Sequence, residues 1–193
     1  MDSDIIVAGL DPSLTSFGVV WGSDATMQHM AIKSKPCGVR VVDRMRRLEQ
    51  IVSQMDLALR EAQPRVVMIE GYAFGSTSGK VADRAELGGL TRWHCVDYTP
   101  LIFEVAPSTL KKFITGGGKA DKDQVLKLVF KNWGVDVQTS DEADAYGLWR
   151  MAMVAVGAYP PDNKKQTEAV NTALGGANHT QASLRAALEP PAF

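Results

Sequence analysis

The 193-residue chain balances 21 Lys and Arg against 22 Asp and Glu, a net charge of −1, with 45% apolar and 22% charged residues. That length suits one domain with a real core, and the charge balance excludes a generic, strongly basic nucleic-acid binder. No apolar run approaches the ~20 residues that span a bilayer, and the acidic start Met1-Asp-Ser-Asp4 is unlike a secretory signal, so the expected location is the cytoplasm.

The first elements are short strands. Ile5 to Asp11 is an apolar run closed by Pro12-Ser-Leu-Thr15, and Phe17 to Trp21 follows at once, which predicts a hairpin with a third strand over 26–33. Val41, Met45, Leu48, Val52, Met55 and Leu59 repeat at spacings of three and four, one apolar stripe of a long helix that ends before Pro64. Residues 65–70 are a near-continuous apolar run, as in a strand covered on both faces, and it ends in Glu70 as the first strand ends in Asp11. Residues 71–80 have loop composition, and helical pattern resumes over 81–95 with Gly88 and Gly89 inside it.

A strand at 99–105 leads through Pro107-Ser-Thr-Leu-Lys111-Lys112 to the flexible Thr115-Gly-Gly-Gly118, with helices expected at 121–132 and 141–158. The expected organisation is one domain over 1–158 and a polar, weakly ordered tail over 159–193, helical only near 182–188. Cys37 and Cys95 are too few for a disulfide framework or zinc site and are read as buried small hydrophobes. Strands, then alternating strands and helices, then helices, predict an α/β fold whose mixed five-stranded sheet is flanked by helices. If the first and fourth strands are parallel neighbours, Asp11 and Glu70 leave the same carboxyl edge, where α/β proteins hold ligands.

Asp141 and Asp144 sit three apart in the first turn of the last long helix and so share a face. Packed on the sheet edge, that helix would bring four carboxylates together: Asp11, Glu70, Asp141 and Asp144. At ~4 Å two such charges repel by about 4 kcal/mol at an effective dielectric of 20, which hard divalent cations with oxygen ligands relieve. Two Mg²⁺ or Mn²⁺ ions would serve phosphodiester hydrolysis, and would turn the net charge of −1 into +3. Each carboxylate has a plainer explanation as well: Asp11 before Pro12 suits a turn, Glu70 a solvated strand end, Asp141 a helix N-terminus. Glu142 is different, because Thr139-Ser-Asp-Glu142 fits a capping box and points to a structural role.

Gly9-Leu-Asp11-Pro-Ser with Phe17-Gly18, Met68-Ile-Glu70-Gly-Tyr72, Lys111, Gly116-Gly-Gly-Lys119-Ala-Asp-Lys122-Asp-Gln-Val125, and Asp141-Glu-Ala-Asp144-Ala resemble, in order, the motifs of RuvC-type Holliday junction resolvases. The likeness runs through about the first 155 residues. It implies an RNase H-like fold, a homodimer with two active sites making paired nicks in branched DNA, and metal ligation by Asp11, Glu70, Asp141 and Asp144. It also implies basic residues near the site, Lys111 and Lys122, with Lys122 closest to the scissile phosphate. Lys112 and Lys119 extend that basic segment along a phosphate backbone.

In the loop after Glu70, Tyr72 and Phe74 are expected to meet unstacked bases at the junction centre, and Gly88 with Gly89 to let two copies of their helix approach. Ser13 stands where the bacterial pattern has Gly, Glu142 adds a carboxylate and the tail does not align, so the chain is similar to divergent bacteriophage resolvases. Asp11-Pro-Ser-Leu-Thr-Ser-Phe-Gly18 also resembles the phosphate loop of actin-like and sugar-kinase ATP-binding domains, against which the length and the absence of a second Asp-Gly loop both count. A nuclease of the same fold acting on other nucleic-acid structures is a further alternative.

Overall fold

Two strands, β1 (Val7–Asp11) and β4 (Val66–Glu70), set the plan of the molecule. Val7, Val66 and Met68 point into one apolar core, whereas Ala8, Leu10, Val67 and Ile69 point into another. This period of two is what a strand buried on both faces requires. The structure, a computed structural model, describes residues 5–72, 81–99, 101–117, 121–175 and 181–188.

Within it a five-stranded sheet runs in the order β3-β2-β1-β4-β5, with β2 at Ser16–Gly22, β3 at Gln28–Lys33 and β5 at Ile102–Val105. The β1, β2 and β3 pairings are antiparallel, and β1, β4 and β5 run parallel. This is the expected mixed α/β sheet. Because Leu10 lies opposite Ile69 in parallel register, Asp11 and Glu70 emerge side by side at the carboxyl edge.

Helices α1 (Val41–Ala62) and α2 (Val81–Val96) cover one face. The other is crossed by α5 (Ser140–Val156), buried on nearly every side as a core helix must be, and backed by α3 (Pro107–Thr115) and α4 (Lys122–Trp133). Phe113, Trp133, Tyr146 and Trp149 stand in ring contact, with neighbouring centroids 5.5 to 6.2 Å apart, so α3, α4 and α5 are tied through aromatic faces.

Three expectations are corrected. Val41 and Met45 do not join the core stripe of α1: they are 65% and 37% exposed, because the buried apolar stripe begins only at Leu48. Cys37 is exposed, with its thiol donating to the Asp43 carbonyl, whereas Cys95 is buried and its thiol is pushed up to about 12, chiefly by burial. The segment after Tyr159 is not a loose tail throughout. A helix α6 (Lys164–Ala173), capped by Asn163, packs on α3 with Ala169, Val170 and Leu174 buried in the main core. The pairs Ala169-Val170 and Ala173-Leu174, four apart, form a narrow apolar stripe inside a polar composition. A last helix, α7 (Gln181–Leu188), buries Leu184 and Leu188, and its end accepts from the Arg65 guanidinium at 2.8 Å.

Val170→Asp therefore puts an unpaired charge into the core and is expected to cost about 3 kcal/mol, or roughly 6 to 12 °C in melting temperature at this chain length. A thermal scan that leaves the midpoint unmoved would mean that α6 is not part of the cooperative unit.

Candidate active site

The backbone of the site is set by a glycine. Gly18 on β2 lies directly across from Asp11, and α5 begins on top of it: a Cβ at Gly18 would strike the Asp141 carbonyl. At Gly9, one strand over, a Cβ would strike the backbone of Ala145 and Trp149. The two glycines therefore let α5 lie flat on β1 and β2, which carries its first turn to the sheet edge where Asp11 ends. Asp144, one turn beyond Asp141, shares the same helix face.

Asp11, Glu70, Asp141 and Asp144 line one cleft of about 300 Å³, which Lys111, Arg84 and Arg92 also enter. Asp11 is buried, and its carboxyl is held well above the usual carboxylate range. Burial is the largest cause, followed by the charge of Glu70 and a hydrogen bond with it, then the charges of Asp144 and Asp141. The four groups thus feel one another electrostatically. Among the described residues no three acidic, His or Cys side chains converge into a ready-made cage, so the carboxylates line the cleft without closing on one point.

The remaining candidates fall in different places. Lys111, on α3, lines the cleft, but Lys112 is spent on Glu168 of α6 at 2.7 Å. Lys122 opens α4 behind the N-cap Asp121; its side chain, like Lys119 and Phe74, lies outside the described residues. Tyr72 is 38% exposed and pinned to the cleft wall: its hydroxyl donates to the Ala85 carbonyl at 3.2 Å, and the Arg92 guanidinium stacks 4.5 Å from its ring centre. The ring fills the space at Gly88, so that glycine serves contact within the chain and not a second copy. Gly89 has open space beside it.

Glu142 points away from the carboxylates. Its Oε2 accepts from the Gln138 backbone N–H and the Thr139 hydroxyl, its own N–H donates to Thr139, and its Oε1 accepts from His29 Nδ1 at 3.1 Å. The residue caps α5 and ties that helix to β3. Arg84 and Arg92 were not anticipated. With Gly88 they recur every four residues, and that spacing on α2, two cations flanking a glycine on one face, was the available signal.

A mixed sheet in this order, with carboxylates at the ends of its two central strands and on the helix laid across them, defines an α/β protein of the RNase H-like type. A family model described as Crossover junction endodeoxyribonuclease RuvC matches residues 7–149, and the chain belongs to that family of endonucleases. A RuvC of Rickettsia akari is 32% identical over 151 residues, covering 75% of this chain and 94% of the relative. A RuvC of Caldicellulosiruptor saccharolyticus is 27% identical over 146 residues, covering 74% and 88%. Among solved structures, Thermus thermophilus RuvC aligns with a TM-score of 0.61 at 21% identity, over 78% of this chain and 95% of that one. The same protein in complex with a Holliday junction substrate aligns with a TM-score of 0.63 at 20% identity, over 78% and 94%. Among the described residues no helix is long and apolar enough to cross a membrane.

Proposed function

We propose that this protein is a structure-selective DNA endonuclease that resolves four-way junctions by metal-dependent phosphodiester hydrolysis, as a homodimer placing paired symmetric nicks. The observation that carries the reading is the gathering of Asp11, Glu70, Asp141 and Asp144 in one cleft, with Asp11 protonated more readily than a carboxyl should be. Four oxygen donors with mutual repulsion fit hard divalent cations, here Mg²⁺ or Mn²⁺, and the four residues would hold two of them. When bound, the pair supplies charge neutralisation at the scissile phosphate and activation of the attacking water. Lys111 directs positive charge at the DNA phosphates, a role in which Lys119 and Lys122 join it, with Lys122 nearest the phosphate that reacts. Tyr72 offers a ring edge to unstacked bases, with Phe74 beside it in sequence. Ser13 and the helices beyond residue 149 support a divergent, bacteriophage-type member acting in the cytoplasm of its host.

Labelled four-way, flap and linear DNA, with RNA duplex as a further arm, incubated with and without Mg²⁺, tests the reading. Paired nicks in the four-way substrate alone, and only with metal, are expected. Cleavage confined to RNA or to linear duplex would sink it. Tyr72→Ala is expected to lower selectivity for the four-way substrate over linear duplex by about tenfold, the equivalent of ~1.4 kcal/mol. Selectivity unchanged in a folded variant would leave the ring with a structural role alone.

The dimer reading rests on α2, whose outer face presents Leu90, Trp93 at 74% exposure and Val96 at 64%, next to the open space at Gly89. An apolar face of this kind is self-complementary about a two-fold axis, with Trp93 as its anchor. Trp93→Glu is expected to shift the light-scattering mass at micromolar concentration from twice to once the 20.9 kDa of the chain. A wild-type protein already at the monomer mass would refute the arrangement.

A further inference from the structure

The basic residues of this chain are not where the carboxylates are alone. Residues 33–47 hold six Lys and Arg against a single acidic residue, Asp43, in a protein whose overall charge is −1. This stretch joins β3 to α1, and with α2 it walls a second cleft of about 490 Å³, lined by Arg40, Arg44, Arg47 and Arg84 and by the turn from Ser13 to Thr15. The two clefts adjoin, for Ser13 and Arg84 line both.

What each arginine already holds decides what the cleft can do. Arg40 grips Asp43 through two nitrogens at 2.8 and 2.9 Å, and Arg44 meets Glu86 at 3.0 Å and Asp83 at 3.6 Å. Those charges are answered. Arg47 is not answered by any carboxylate: its guanidinium donates to the Ser34 hydroxyl at 2.9 Å and to the carbonyls of Leu14 and Ser34. Neutral carbonyls fix the side chain in place and leave its full positive charge. Arg84 makes no ion pair among the described residues. The Arg47 guanidinium, half-buried, held rigid and without an anion, is a prepared site for one, because the ordering cost of the side chain is already met by the fold.

We propose that this arginine cleft holds backbone phosphates of the DNA arm that leaves the carboxylate cleft, so that Arg47 and Arg84 form a phosphodiester track leading to the site of cleavage. The inference rests on the nuclease reading above. A phosphodiester fits better than a small free anion, since the cleft is open and runs into the place where a scissile phosphate would lie. The hydroxyls of Ser13 and Thr15 edge the same channel as phosphate donors. The positive end of the 22-residue α1 faces it as well. Such contacts position a duplex without reading its sequence, which is what an enzyme selecting for branched shape requires.

The test is binding of labelled four-way and linear DNA in EDTA, so that no cleavage occurs, across a salt series. Arg47 lines the arginine cleft alone and Arg84 lines both clefts, so the variants are Arg47→Gln and Arg84→Gln. Both are expected to weaken binding about tenfold at low salt and to lower the slope of log K against log salt by about 0.9, the value for one lost phosphate contact. Because Arg47 also braces the turn after β1, Arg47→Lys serves beside it: it keeps the charge and is expected to keep the slope. An unchanged slope in folded Arg47→Gln protein overturns the track. A loss confined to Arg84→Gln also overturns it, by assigning that charge to the carboxylate cleft. Wild-type protein that binds and cleaves four-way DNA, with variants that bind like it, refutes this inference alone. Wild-type protein that binds no DNA refutes the nuclease reading with it.

Discussion

Asp11→Asn lowers cleavage of four-way DNA by on the order of 10³-fold or more, equivalent to about 4 kcal/mol of transition-state stabilisation. It leaves binding of the same DNA in place and raises the melting temperature of the metal-free protein. The loss follows from the proposed ligand set, from which the substitution removes one oxygen of four while leaving the strand, the cleft and the basic residues as they were. The gain follows from electrostatics. In the metal-free protein Asp11 is a buried carboxyl facing Glu70, Asp141 and Asp144, and its ionised form is disfavoured first by burial and then by those charges. Asn is neutral, nearly isosteric, and able to donate to the Glu70 carboxylate.

The sign of the pH dependence is then determined. The folded state holds the Asp11 proton more tightly than the unfolded chain, so stability is fully present below the unfolded carboxyl pKa and falls as pH rises through the raised folded value. Relative to Asp11→Asn, metal-free wild-type protein is expected to lose melting temperature as pH is raised from the acid side toward neutrality; the difference isolates this group from Asp43, Asp56 and Glu168, whose lowered pKa values act in the opposite sense. At this chain length each kcal/mol appears as about 2 to 4 °C. Millimolar Mg²⁺ is expected to raise the wild-type midpoint by mass action on the folded state and to move the variant far less. Thermal scans in EDTA and in Mg²⁺ over the same pH series check all three statements. A variant that cleaves like wild type, or melts lower in EDTA at neutral pH, would remove Asp11 from the cluster.

Much of this was legible in the chain before any coordinates, for reasons that differ from element to element. The strands ending in Asp11 and Glu70 are buried on both sides, so burial itself writes an unbroken apolar run into the sequence, and the carboxylate marks where each run reaches the cleft. Asp141 and Asp144 were placed together by helical spacing alone. The C-terminal helix α6 was not legible, because it buries only a narrow stripe against α3 and presents Lys164, Lys165, Thr167 and Glu168 outward, so its average composition is polar. The seat of Tyr72 is not legible for another reason. Composition identifies an aromatic beside a glycine-rich loop, but not that Gly88, sixteen residues later, provides the hollow that receives it. The arginine cleft combines both cases: its charge run is plain in residues 33–47, while the identity of the paired and unpaired arginines belongs to tertiary structure alone.

Gly18→Val is expected to abolish cleavage although no carboxylate is touched. In the native protein the Cβ position at residue 18 is occupied by α5: the Asp141 carbonyl carbon lies 2.5 Å from it and Ala145 Cβ 3.0 Å. These are backbone and near-backbone atoms of a helix packed on all sides, so they cannot swing aside as the end of a flexible side chain would. The only relief is for the first turn of α5 to rise from β2, and that turn carries Asp141 and Asp144. Lifting it separates them from Asp11, which lies across from Gly18 and stays with the sheet. A misplacement of about 1 Å in a reacting constellation costs on the order of 10²-fold in rate, and Val, with two methyls beyond the Cβ, demands more. Overpacking of this kind is expected to cost about 3 kcal/mol of stability as well. Gly18→Ala, with a Cβ only, keeps the comparison open if the valine variant does not fold: it should retain a cooperative melt and DNA binding, lose about 10²-fold in cleavage, and respond less to Mg²⁺ in thermal scans than wild type does. Wild-type cleavage and an undiminished Mg²⁺ response in Gly18→Ala would show that the contact between α5 and β2 does not set the spacing of the carboxylates.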